Sequence, residues 1–134
     1  MHKFPIYEYK NFHELPLDKL NTFKFSVYIL DFDWNYLFIN DFVKSNLGGR
    51  GNGLIGKNMW LTFPELASDP VFSQLKEKME RRITVNSETN SPVTGQRLHI
   101  TGYALDDSYF FTSSILPDKE ELLNEIRMQL SKRK

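Results

Sequence analysis

Residues 25–41, FSVYILDFDWNYLFIND, decide the fold. Phe25 to Phe32 sets Val, Tyr, Ile, Leu and Phe in quick succession, mostly the β-branched and aromatic types that suit a pleated, half-buried surface. Asp33-Trp34-Asn35 interrupts, Tyr36 to Ile39 resumes the apolar run, and Asn40-Asp41 stops it. Two such runs around an Asp/Asn-containing break predict a β-hairpin. Asn35 is expected to carry the positive φ of the turn, because Asn tolerates the left-handed region best among non-glycine types. Alone, the stretch specifies two strands and a turn; its wider meaning comes from the rest of the chain.

At 134 residues the chain is one domain by length and large enough for a self-sufficient core. Aromatics make up 14%, with eleven Phe, so that core should be rich in rings. Lys+Arg and Asp+Glu are both 17. A neutral chain has no long-range field for a polyanion, which argues against nucleic acid as the main partner. It also has little protection against self-association. With no cysteine, disulfides, thiolate metal sites and thiol nucleophiles are excluded. No apolar run reaches the roughly 18 residues of a membrane span, and MHKFPIYEYK lacks a hydrophobic signal core, so a cytoplasmic location is expected.

Residues 1–12 mix Phe4, Tyr7, Tyr9 and Phe12 with charge, which predicts an arm laying rings on something, such as a partner subunit. In residues 13–24, Leu17, Leu20 and Phe23 stand at helical spacing after a proline. Past the hairpin, DFVKSNL (41–47) fits one or two helical turns with Asn40 or Asp41 as N-cap. Residues 48–53 form a glycine-rich loop, and a short helix is expected around 58–62. DPVFSQLKEKMERR (69–82) is the clearest helix: Asp69 is the N-cap, Pro70 the first helical residue, and Phe72, Leu75 and Met79 one apolar stripe. The period then changes from 3.6 to 2. Strands are expected at 83–88, 96–105 and 109–116, with turns at 90–95 and 106–108. In the middle strand Leu98, Ile100, Gly102 and Ala104 share one face, and Arg97, His99, Thr101 and Tyr103 the other. Residues 118–134 predict an amphipathic helix with Leu122, Leu123, Ile126 and Leu130 on one side and a basic end, Lys132-Arg133-Lys134. A hairpin, a helical crossover and a three-strand meander give an α+β fold, a five-stranded antiparallel sheet with short helices on one face.

In this order the residues resemble the PAS domain, a sensory and signalling module. Asp31 closing the first strand, a turn, and an apolar strand ending in Asn40 look like its start. LIGKNMWLTFPE (54–65) is similar to the family's l-G-k-x-x-w-e-l-f-P segment through Gly56, Lys57, Trp60, Phe63 and Pro64. LHITGYAL (98–105) resembles the fourth strand through Tyr103 and Leu105, with Ala104 in place of the usual Pro. The resemblance covers about residues 20–117. Asn35 replaces the usual turn glycine, the 48–53 loop is longer than the core needs, and Ser114-Ile115-Leu116 stands where the family often has Asp-Ile-Thr. That last departure puts signal transfer by that route in doubt. The resulting division is an N-terminal arm and short helix (1–22), a PAS-like core (23–117) and a terminal helix (118–134).

Each candidate for chemistry has a plain structural reading beside it. GNGLIGK (51–57) matches G-x-x-x-x-G-K, but Asn58 stands where a phosphate loop needs Ser or Thr, and no buried strand precedes it. His2, His13 and His99 are far apart, whereas metal sites want clustered ligands. Haem-binding relatives take an axial His from the long helix, and 69–82 has none. Cysteine-dependent photochemistry is excluded, and nothing supports non-covalent flavin. Asp31, Asp33, Asp106 and Asp107 sit at turns, where carboxylates mostly form the turn. No cofactor and no metal is therefore expected.

The one place for a ligand is the apolar lining between sheet and helices. The hairpin contributes Val27 and Phe38, and the segment after it Phe42 and Ile55. Met59, Trp60 and Phe63 follow, then Phe72, Leu75 and Met79 from the long helix. Leu98, Ile100 and Phe111 complete the set from the last strands. A filled core is the reading these residues favour, since apolar stripes at such spacings mostly pack, and a ligand-holding cavity is the alternative. Leu123, Ile126 and Leu130 fit a two-helix seam that would make a homodimer or engage a downstream kinase or cyclase, and docking on the chain's own sheet is the alternative. The favoured reading is a non-catalytic sensory and dimerisation module that senses either through this cavity, with a small apolar ligand, or through a partner. A closed-core protein–protein interaction module and a small α+β enzyme using the same cavity are the alternatives.

Overall fold

The computed structural model describes residues 4–117 and 119–132. His2, Asp118 and the end Arg133-Lys134 lie outside the described residues. The chain begins with 3-10 turns at Ile6–Glu8 and Phe12–Glu14 and a single helical turn, α1 (Leu17–Leu20). The Glu14 carboxylate accepts from the backbone N–H of Lys10 at 2.7 Å and of Asn11 at 2.9 Å. These bonds hold its carboxyl below the usual range. The helix expected over 13–24 is cut to one turn, with Pro16 at its start and the Thr22 hydroxyl donating to Lys19 O at 2.7 Å.

The hairpin is β1 (Ser26–Asp31) and β2 (Tyr36–Ile39), paired antiparallel with an irregularity between Ile29 and Leu30. Asp31 builds the turn. Its carboxylate accepts from the N–H of Asp33 at 2.9 Å and of Asn35 at 2.8 Å, and from the Asn35 side-chain amide at 3.3 Å. The positive φ falls on Trp34 (68°) and not on Asn35. Asn35 is held by Asp31 and bridges to Asn58, while Trp34 swings its ring into the core. A left-handed non-glycine residue costs about 1–2 kcal/mol. Burying a large apolar side chain returns about 1.5–3 kcal/mol, so burial wins.

Helices α2 (Asp41–Leu47), α3 (Met59–Thr62), α4 (Pro64–Ala67) and α5 (Pro70–Glu80) follow, with a 3-10 turn at Gly48–Gly51. Asn40, Asn58 and Asp69 cap α2, α3 and α5 through their side chains. Arg82 takes φ 63° just past α5, and the Ile83 N–H bonds Lys78 O at 2.9 Å, closing that end with an arginine where glycine is usual. This delays the next strand to β3 (Val85–Asn90), two residues later than the alternation suggests. Strands β4 (Arg97–Ala104) and β5 (Ser108–Ile115) complete an antiparallel sheet of order β2-β1-β5-β4-β3. The last element, α6 (Lys119–Lys132), has exposed side chains from Leu122 to Ser131, so its stripe does not dock on the sheet.

The sheet is buried on both faces. One carries Leu30, Ile100 and Phe111 against Val43, Met59, Phe63, Phe72 and Met79 from the helices. The other carries Val27, Ile29 and Phe110 against Ile6, Leu15 and Leu20. The N-terminal rings thus cover the chain's own sheet: Phe4 stacks on Phe110 with ring centres 5.7 Å apart and on Tyr9 at 5.4 Å. Asn40, fully buried, ties these layers together. Its Oδ1 accepts from Val27 N at 3.1 Å and Val43 N at 3.2 Å, and its Nδ2 donates to Leu20 O at 3.0 Å and Phe25 O at 2.9 Å.

Candidate functional site

A cavity of about 90 Å³ lies between the helices and the sheet. At roughly 10–15 Å³ for each water-sized group, it has room for on the order of six to nine. Its floor is Ser26 and Tyr28 of β1, Tyr36 of β2, Leu98 and Ile100 of β4, and Ser113 of β5. Strand alternation puts them there, since Ser26, Tyr28 and Leu30 point to the helices while Val27 and Ile29 point away. The roof is Val43, Asn46 and Leu47 of α2, Met59 and Phe63, Leu66 of α4, and Phe72 of α5. Ser91, Val93 and Thr94, between β3 and β4, form part of the rim. That loop is fixed by Ser91 Oγ, which accepts from the N–H of Val93 at 3.1 Å and of Thr94 at 3.2 Å. Asn46 is held by a reciprocal amide pair with Gln96, at 2.9 and 3.0 Å.

The polar floor is the chemically distinctive part. Tyr28 stacks on Phe111 with ring centres 5.1 Å apart. Burial pushes the hydroxyls of Tyr28 and Tyr36 well above the ordinary tyrosine range, and the nearby Tyr28 adds to the effect on Tyr36. Ser26 and Ser113 face each other across β1 and β5. Among the described residues, no carboxylate, imidazole, ammonium or guanidinium lines the cavity. At the β1–β2 turn the core closes differently: Arg82 lies over the Phe32 ring at 3.8 Å and donates to Tyr109 Oη at 3.2 Å, and Trp34 Nε1 donates to Glu80 at 3.1 Å.

Of the residues expected at the lining, Met59, Phe63, Phe72, Leu98 and Ile100 touch the cavity. Trp60, Leu75, Met79 and Phe111 belong to the same core but pack beside it. Val27 and Phe38 are corrected to the opposite face, because β1 alternates and Phe38 pairs with Ile29. Phe42 is half-buried and outside the lining, because α2 turns Val43, Asn46 and Leu47 inward. Ile55 is 57% exposed, and its neighbour Leu54 takes the core position. The hydroxyl-bearing residues were missed because an apolar lining was sought. The signal for them is the two-residue period in FSVYILD, blurred because both faces of that strand are buried. His99 lies on the outer face, hydrogen-bonded to Asn86.

A five-stranded antiparallel sheet roofed on one face by short helices around a small cavity is an α+β architecture. No family model matches the chain, and no curated protein matches it. Solved structures do. The PAS domain of Bordetella pertussis BvgS matches with TM-score 0.61 at 13% identity, over 90% of this chain and 97% of that one. The Photoactive Yellow Protein domain from the sensor histidine kinase Ppr of Rhodospirillum centenum matches with TM-score 0.61 at 14% identity, over 76% and 94%. The PAS domain of the quorum-sensing receptor RpfR of Cronobacter turicensis, in complex with BDSF, matches with TM-score 0.53 at 12% identity, over 71% and 96%. The chain has a PAS fold.

Proposed function

We propose that this chain is a non-catalytic sensory module. A small ligand occupies the cavity between helices and sheet, and the terminal helix α6 relays its presence to a second copy or to a downstream signalling protein. The observation that carries the reading is the cavity itself, placed where the apolar wall is interrupted by hydroxyls. Its lining of apolar, hydroxyl and amide side chains supports binding over acid–base chemistry. The sensor-kinase and receptor neighbours of the same fold support a signalling role. For the relay, β5 runs into α6 through Leu116 and Pro117, and Leu123, Ile126 and Leu130 are about half exposed, as a helix awaiting a partner would be. The ligand would act by favouring one of two packings of sheet and helix. No helix among the described residues is long and apolar enough to cross a membrane.

Native mass spectrometry of the protein purified from its host is expected to show a bound small molecule. A bare mass alone would count against sensing. Light scattering of the full chain and of a chain ending at Pro117 is expected to show a dimer only for the first. Two monomers at high concentration would refute the relay through paired α6 helices.

A further inference from the structure

Tyr28 and Tyr36 both line the cavity, and among the described residues burial and, at Tyr36, the charge of the neighbouring tyrosine, not a hydrogen bond, act on their hydroxyls. Tyr109, by contrast, has its oxygen engaged by Arg82. Neither hydroxyl is sealed in protein as Trp60 Nε1 is, so the accessible surface left to them is that of the cavity. A hydroxyl that opens on a pocket without a protein partner takes water or a ligand atom as its partner. Burial keeps both phenols protonated, so each is an O–H donor. Two donors on one wall suit an oxygen with two lone pairs. With no charged side chain in the lining among the described residues, an ionised head group would lose its hydration without a counter-charge. Met59, Phe63, Phe72 and Ile100 offer the remainder of the ligand an apolar surface.

We infer that the cavity takes a small uncharged molecule with an apolar body and a single carbonyl group, and that the Tyr28 and Tyr36 hydroxyls donate to that carbonyl. The inference rests on the reading of the cavity as the sensing site and adds the chemical class of the ligand. The room available limits the ligand to on the order of six to nine heavy atoms. Ketones, lactones and small esters or amides are of this kind; fatty acids and organic anions are not.

The test uses the full chain with methionine methyl groups labelled with carbon-13, and three probes of similar size: cyclohexanone, methylcyclohexane and cyclohexanecarboxylate. Binding is read at the Met59 methyl, in the wild type and in the Tyr28→Phe and Tyr36→Phe variants. Cyclohexanone is expected to shift the Met59 resonance saturably. Each variant should weaken it about 3- to 10-fold and leave methylcyclohexane within about twofold. The carbonyl stretch of bound cyclohexanone should lie below its value in a non-hydrogen-bonding solvent, a readout that needs no variant. If cyclohexanone binds with an unshifted carbonyl band, or both variants bind it as the wild type does, the carbonyl inference fails while the cavity remains a binding site. Tightest binding by cyclohexanecarboxylate would overturn it equally. If none of the three probes moves the Met59 methyl of the wild type, the sensing site itself is refuted.

Discussion

Asn40→Ala is the substitution that most sharply tests how the fold is held. The side chain sits at the end of the hairpin, fully buried, and makes four hydrogen bonds, at 3.1, 3.2, 3.0 and 2.9 Å. Two satisfy the N–H groups of Val27 in β1 and Val43 in α2, and two satisfy the carbonyls of Leu20 and Phe25. Every donor and acceptor of the amide is thereby used. Truncation leaves four backbone groups without their partner. At about 0.5–1.5 kcal/mol net for each bond, the loss could reach about 6 kcal/mol. Water reaching the less buried Phe25 end offsets part, and the expected cost is about 3–4 kcal/mol. For a chain of this length that is a fall in Tm of roughly 10 °C. Urea unfolding followed by tryptophan fluorescence measures it, with Asn46→Ala, which loses two part-buried bonds to Gln96, as a control expected to cost about 1–2 kcal/mol. Asn40→Asp sharpens the reasoning, because a carboxylate would face the two carbonyls. Protonation would be favoured in the folded state, so this variant should be least destabilised at low pH and lose stability as pH rises. A loss below about 1 kcal/mol for Asn40→Ala would refute the view that this amide ties the layers.

Four further outcomes follow from the packing. Gly102→Ala should cost about 1–3 kcal/mol, since a Cβ there would meet Phe111 Cε1 at 2.8 Å and Met79 Sδ at 2.9 Å; thermal unfolding reads it. Arg82→Gly should be more stable than Arg82→Ala by about 1 kcal/mol, because both lose the contact with Phe32 and only glycine relieves the φ of 63°; urea midpoints of the two variants decide. Trp60→Phe should be neutral or stabilising in the same assay, as it removes the buried Nε1 that lacks a partner among the described residues. Glu80 is held below the usual carboxylate range by the Lys76 ammonium first and by the Trp34 indole, against its partial burial. Its folded value lies below the unfolded one, so its contribution is present above the ordinary carboxylate range and is lost as pH falls through the folded value. Glu80→Gln should flatten that part of the acid unfolding curve, by under about 1 kcal/mol given its exposure.

The sequence made the sheet legible because its signals are local. Asp69-Pro70 starts a helix on its own chemistry, and the alternation from Leu98 to Ala104 assigns faces without any tertiary knowledge. Where local rules met tertiary demands, they lost. Trp34 took the strained turn position because the core gains its ring, although Asn35 is the better residue for that backbone. The N-terminal rings found a surface on their own sheet, a choice decided by long-range packing of Phe4 on Phe110 that no local pattern encodes. In the cavity, Met59, Phe63 and Phe72 of the roof and Leu98 and Ile100 of the floor are legible as apolar residues at helical or alternating spacing. The part of the floor from β1 and β2 is not, because β1 is buried on both sides and its inward residues, Ser26 and Tyr28, look like the less apolar ones. Apolarity alone therefore points to Val27, on the opposite face, and passes over the hydroxyls of Ser26 and Tyr28 on the cavity floor.

Sensing, as proposed, requires that filling the cavity be felt at α6. Hydrogen exchange followed by mass spectrometry, on the full chain with and without saturating cyclohexanone, measures this most directly. Changed protection both around the cavity, in α2 and α5, and across the junction from Leu116 into α6 is the predicted result. Protection that changes only at the cavity, with the junction and α6 exchanging as before, would contradict it.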